Sequence, residues 1–136
     1  MTYATEHMAE VGKIVSLIDI NTIESLVDVL ASVKSDGGRL FILGVGGSAG
    51  NAGHAVNDFR KLAGIETYAP TDNVSEITAR TNDEGWETVF DSYLKVSKLS
   101  SNDCILILSV GGGDATRNIS MNLCKGIDYA KIVGVS

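Results

Sequence analysis

The sequence predicts an α/β fold, a three-layer αβα sandwich around a parallel sheet. Three observations lead there. Leu40–Leu43 and Cys104–Leu108 are unbroken apolar runs of strand length, as expected for strands covered on both faces. Each runs into a glycine-rich loop, 44–53 and 109–114, followed by a helix-forming stretch. Between them lie segments with apolar residues three and four apart, so strands and helices alternate along the chain.

In order, Met8, Val11, Ile14, Val15 and Ile18 mark an amphipathic helix over residues 2–19. It precedes the first strand and has no crossover role, so it is expected to pack outward against a partner subunit. Asn21 or Thr22 is expected to cap a second helix carrying Ile23, Leu26, Val27, Leu30 and Val33, which ends at Gly37-Gly38. Arg39–Leu43 is the first strand. A helix with Ser48 as its cap is expected over residues 48–62. A short strand over 65–69, a turn over 70–73 and a short helix over 75–80 follow. Asn82-Asp83 is expected to cap a longer helix with Trp86, Val89, Phe90, Tyr93 and Leu94 on one face. Cys104–Leu108 is the third strand. The second glycine loop opens a helix through Ile119, Leu123 and Ile127, and Ile132–Val135 reads as a fourth strand. The pattern calls for a fifth strand and a last helix, so the sequence predicts one domain over 1–136 that lacks its C-terminal strand and helix.

The 136 residues suffice for one domain with a core of its own. Eleven Lys and Arg stand against 17 Asp and Glu, a net charge of −6. That balance disfavours direct binding to nucleic acid or to an anionic membrane, and it leaves an anionic substrate to be held by local dipoles. Fifteen residues are glycine, above the usual ~7%, and the excess gathers in the two loops. Cys104 and Cys124 lie in apolar surroundings without CxxC spacing and read as buried, reduced thiols. The sequence carries neither a signal segment at its start nor an apolar run of about 18 residues, which predicts a soluble, cytoplasmic protein.

Gly44–Ser48, reading Gly-Val-Gly-Gly-Ser, lacks the spacing of a dinucleotide fingerprint and the Gly-Lys-Ser/Thr of a P-loop, so no nucleotide cofactor is expected. It is equally compatible with an anion or sugar at a helix N-terminus and with a plain tight turn. His54 and Asp58 share a helical face, as metal ligands, an acid/base pair or simply the polar side of the helix. Two ligands do not complete a zinc site. The 109–114 loop resembles a phosphate cradle of amides and hydroxyls, but Asp114, placed to cap the next helix, sets a negative charge where phosphate would bind, and Arg117 either offsets it or faces solvent.

Together these features resemble the sugar isomerase (SIS) domain family, a flavodoxin-like sandwich, and within it the phosphoheptose isomerases. The resemblance spans nearly the whole chain: the leading helices, Gly44-x-Gly-Gly-Ser48, His54, the Thr71-Asp72-x-x-Ser75-x-x-Thr78-Ala79 run, Asn82-Asp83-x-Gly85 and the Ser109 loop. It implies isomerisation of sedoheptulose 7-phosphate to a heptose 7-phosphate through an enediol, in a homotetramer or dimer with sites at subunit contacts and, in some members, zinc. By that resemblance Asp58 is the catalytic base and, with His54, a metal ligand. Gly46, Gly47, Ser48, Asn82, Asp83, Ser109, Val110, Gly111 and Asp114 bind the substrate. The chain departs from the family pattern at Val45, where the family has Asn, at Asp58, where it has Glu, and in the 109–114 loop, where Asp114 replaces a hydroxyl. The family's remaining Gln and His come from a C-terminal helix. A non-catalytic binding protein, of the DnaA initiator-associating type or a sugar-phosphate sensor, is the alternative.

Overall fold

A computed structural model describes residues 2–135. Its centre is a parallel sheet of β1 (Arg39–Gly44), β2 (Glu66–Tyr68) and β3 (Cys104–Leu108), in the order β2-β1-β3. β1 pairs with β2 through Arg39–Phe41 and with β3 through Leu40–Gly44. The central position explains its unbroken apolar run. Phe41 and Leu43 face one core with Val89, Phe90, Leu94 and Leu123, and Leu40 and Ile42 face a second with Val33, Ala52 and Ile65. Alternate side chains of one strand thus seed the two apolar layers of the sandwich.

Six α-helices are present among the described residues: α1 (Tyr3–Ser16), α2 (Ile20–Ser35), α3 (Gly47–Asp58), α4 (Val74–Asp83), α5 (Val89–Val96) and α6 (Met121–Val133). The core contacts put α2 and α3 on one face of the sheet and α5 and α6 on the other. α1 buries no residue, and Met8, Ile14 and Val15 on it are more than 60% exposed.

The far end of the central strands is clamped by a buried ion pair. Asp103 accepts from the Arg39 backbone amide at 2.8 Å, from Arg39 Nη2 at 2.7 Å and from the Ser100 amide at 2.8 Å. Burial alone would raise the Asp103 carboxyl, but the donors from Arg39 and Ser100 outweigh it and hold the group below its ordinary value.

Several expectations are corrected. The fourth strand over 132–135 does not form: α6 continues to Val133 and closes at Gly134, whose left-handed φ of 80° lets its amide and that of Val135 bond back to Ala130. Ile132 and Val133 are β-branched, but the helical period from Leu123 runs on through them. The helix expected to reach residue 62 is α only to Asp58, after which Phe59–Ala63 widens into a π-helical turn. α2 is capped by Asp19, not by Asn21 or Thr22; its carboxylate accepts from the Asn21 amide and the Thr22 hydroxyl. The expected helix over 75–80 is longer at both ends. Of the cysteines, both free, Cys104 is buried but Cys124 is only half-buried.

Candidate functional site

β1 and β3 end side by side, with Gly44 paired to Leu108, so both glycine loops leave the same edge of the sheet. The first turns at once into α3. A Cβ on Gly44 would lie 2.5 Å from the Ser48 carbonyl oxygen, so only glycine lets the helix come this close to the strand end. Gly46 has φ 61° and ψ −124°, a conformation costly to any L side chain. The cap position is Gly46 and has no side-chain bond, so Ser48 does not cap α3. The Gly47 amide has no acceptor among the described residues and stays available at the helix N-terminus.

The second loop is longer than expected. Ser109 Oγ accepts from the Gly112 amide at 3.0 Å, and Val110 and Gly111 are exposed. Asp114 does not open a helix. Its carboxylate accepts from the amides of Thr116 at 2.9 Å and Arg117 at 3.1 Å, and from Thr116 Oγ1 and Arg117 Nε at 2.6 Å each. Those donors, the Thr116 hydroxyl and the Arg117 guanidinium foremost, hold the carboxyl at about 2. The Asp114 charge is thereby spent within its own turn. Asp114 and Ile119 exchange two backbone bonds of 2.9 Å, which closes the turn. Asn118 and Ser120 follow with left-handed φ values of 57° and 49°, and only then does α6 begin at Met121.

Between the two loops lies a cavity of about 240 Å3, bounded by Val45, Trp86, Glu87, Ser120 and Asn122. It joins the turn after β1 to the N-terminus of α6, where the Met121 and Asn122 amides have no acceptor among the described residues. A helix start with free amides and a wall of aromatic, amide, hydroxyl and carboxylate groups suit an anionic, hydroxyl-rich ligand. Trp86, Glu87, Ser120 and Asn122 were missed in the sequence. The available signal was Ser120-Met121-Asn122, residue types that favour helix starts, placed just ahead of Leu123 and Ile127.

The remaining sequence-predicted residues lie elsewhere. His54 Nε2 and Asp58 Oδ2 are 3.3 Å apart on the outer face of α3, with 78% and 47% of their side chains exposed. They line a separate depression of about 500 Å3 with Phe59, Leu62 and Ala63. Asp58 is eleven residues down α3 from Gly47, which is about 16 Å along the axis at ~1.5 Å per residue. One protomer therefore does not bring this pair to the glycine loops. Asn82 and Asp83 end α4 and do not cap the Trp86 helix; Asn82 Nδ2 donates to Asp83 Oδ1 at 2.6 Å. The residues from Trp86 to Thr88 form a short 3-10 turn ahead of α5. Asn82 does share a wall with Trp86, in a different depression from the one that Ser120 lines.

As a metal centre the His54–Asp58 pair is incomplete. Zinc takes three or four protein ligands, and no group of three or more His, Cys, Asp or Glu able to hold a metal occurs among the described residues. No helix of the described residues is long and apolar enough to cross a membrane.

Comparison with known proteins bears on the same site. The family model described as SIS domain matches residues 4–135. The probable phosphoheptose isomerase of Thermoplasma volcanium is 30% identical over 122 residues, covering 86% of this chain and 59% of the relative. That of Thermoplasma acidophilum is 31% identical over 125 residues, covering 86% and 63%. The phosphoheptose isomerase of Burkholderia pseudomallei is 29% identical over 146 residues, covering all of this chain and 71% of the relative. The chain thus spans about six tenths of the length of the two Thermoplasma relatives. Among solved structures, a phosphoheptose isomerase from Neisseria gonorrhoeae superposes with a TM-score of 0.80 at 20% identity, over 97% of this chain and 70% of that one. At that identity the likeness bears on the fold.

Proposed function

This chain belongs to the SIS domain family, and on that premise we propose that it is a cytoplasmic sugar-phosphate isomerase of the phosphoheptose type. Its substrate is sedoheptulose 7-phosphate or a related sugar phosphate, converted to the aldose, D-glycero-D-manno-heptose 7-phosphate in the first case. The relatives' names support the reaction type. The observation that carries the reading is the cavity bounded by Val45 of the turn after β1 and by the N-terminus of α6 with its unpaired amides. Helix starts favour negative charge, which matters in a chain whose net charge is −6.

The chemistry moves one proton between carbons. A base takes a proton from C1, the electron pair forms the C1–C2 double bond, and the C2 carbonyl oxygen gains a proton to give the enediol. Return of a proton to C2 and loss of the O1 proton leave the aldehyde at C1. Asp58 is the proposed base, with His54 as its polar partner. The Gly46-Gly47 turn and Ser48 hold the sugar, and Asn82-Asp83 contact it beyond Trp86. The loop from Ser109 to Ser120, with Val110, Gly111 and the neutralised Asp114, encloses the phosphate end.

Asp58 lies about 16 Å along α3 from Gly47 at the helix start, so the reading requires a second copy. We propose a homo-oligomer, dimer or tetramer, held by the apolar faces of α1 and α2, where Ile14, Val15, Ile20 and Ile23 stand exposed. An α1 with no buried residue is too short to be stable in water by itself. Zinc belongs to the proposal only as a shared site: His54 and Asp58 supply two ligands, and the others must come from a second copy or from outside the described residues. No step is derived through it.

The full-length protein incubated with sedoheptulose 7-phosphate, with and without zinc, is expected to yield the aldose. No turnover in either condition, and no rise in Tm with the sugar phosphate, would refute the isomerase reading. For the assembly, sedimentation should show a mass above one protomer. Ile14→Glu should lower both that mass and the turnover.

A further inference from the structure

Three buried side-chain atoms lack a hydrogen-bond partner among the described residues: Thr71 Oγ1, Asp91 Oδ1 and Asn122 Nδ2. The second oxygen of Asp91 is engaged by Lys95 at 2.6 Å. Asn122 differs from the other two because it lines the cavity at the N-terminus of α6. The residue is fully buried, at 0% exposure. Its Oδ1 accepts from the Leu123 amide at 2.8 Å, which fixes the plane of the side-chain amide and leaves Nδ2 as the end without work. A buried amide donor left unpaired costs about 1–3 kcal/mol, so its place in a cavity wall calls for an acceptor that the protein itself does not supply.

We propose that Asn122 is a specificity-determining residue of this site, its Nδ2 donating to an oxygen of the bound sugar phosphate. The inference rests on the isomerase reading of the same cavity. The backbone amides of Met121 and Asn122, at the same helix start, also have no acceptor among the described residues, so an oxygen anion or hydroxyl seated over the start of α6 has backbone donors beside Nδ2. Glu87, which also lines the cavity and has Lys125 Nζ at 3.8 Å, is an acceptor and suits sugar hydroxyls. Trp86 offers its ring to the carbon chain. Ligands that present no acceptor at this spot leave Nδ2 unpaired, as it is in the free protein, and forgo the gain that a ligand with an acceptor makes.

Asn122→Leu, of similar volume and without a donor, separates the possibilities. The free variant should melt at or above the wild-type temperature, because an unsatisfied buried amide is gone. Its KM for sedoheptulose 7-phosphate should rise by about tenfold or more, and the ligand-induced Tm shift should shrink to match. An unchanged KM and an unchanged ligand-induced shift would overturn the proposal while leaving the isomerase reading intact. If wild-type protein neither turns over the sugar phosphate nor is stabilised by it, both fall together. A second measurement covers a variant that does not fold: in 1H–15N spectra of the wild-type protein, the paired Asn122 side-chain resonances should move on saturation with sedoheptulose 7-phosphate. Movement with inorganic phosphate as well assigns the acceptor to the phosphate, and movement with the sugar phosphate alone assigns it to a sugar oxygen. Stationary Asn122 resonances beside shifting neighbours would rule the contact out.

Discussion

The two glycine loops leave neighbouring strands at the same sheet edge, yet they are built on opposite terms. After β1 the chain needs only Val45 and Gly46 to enter α3, and the turn is fixed by contact: Gly44 lies against the Ser48 carbonyl and Gly46 holds a conformation that side chains avoid. After β3 the chain takes the whole stretch from Ser109 to Ser120 before α6 starts, and the turn is fixed by side-chain bonds from Asp114 to Thr116 and Arg117. A Cβ on Gly111 would meet nothing within 4 Å. Glycine thus has a steric role in the first loop. In the second, polar closure at Asp114 acts beside the left-handed Gly112 and Gly113, with φ of 71° and 85°, and Gly111 is spare.

Substitutions can break that contrast. Gly44→Ala should have the largest effect, about 3 kcal/mol of lost stability, because the clash is with backbone that cannot swing aside; chemical denaturation measures it. Gly46→Ala should cost about 2 kcal/mol through backbone strain alone. If the two substitutions prove equal and small, the first loop is not contact-fixed. The second loop should respond to acid instead. Asp114 titrates at about 2 against an ordinary 3.8, so its contribution is complete above pH 3.8 and fades as pH falls through 2. Amide shifts of Thr116 and Arg117 should follow that titration, while those of Gly47 and Ser48 stay flat. Gly111→Ala should be the smallest change, within about 0.5 kcal/mol of wild type in the same denaturation assay.

The same contrast explains what could be read from sequence. β1 and β3 were legible because strands buried on both faces must be continuously apolar, and Cys104–Leu108 forms with the expected bounds. The turn into α3 was legible because glycines required by contact are visible as glycines. The second loop was not, since Asp114 carries the same cap chemistry whether it closes an isolated turn or begins a helix. Only the backbone pairing of Asp114 with Ile119 decides between them. The misread strand at 132–135 has a similar origin: two β-branched residues fit a strand locally, while the helix from Met121 carries them through to Gly134. For the site, His54 and Asp58 were correctly placed on one helical face. A shared face does not bring the pair to the loops: eleven residues at ~1.5 Å each put Asp58 about 16 Å along the axis from Gly47. Ser120 and Asn122 went unremarked because the helix start was placed six residues too early, at Asp114.

α1 carries a consequence of its own. A helix of 14 residues with no buried side chain opens and closes without disturbing the sheet. In protein diluted to the lone protomer, hydrogen exchange should therefore divide the chain in two, with α1 amides exchanging through local openings of almost no cost and those of β1 only through global unfolding. A protease offered the dilute protein should find its first cut between Tyr3 and Ser16, and the trimmed chain should keep its melting temperature.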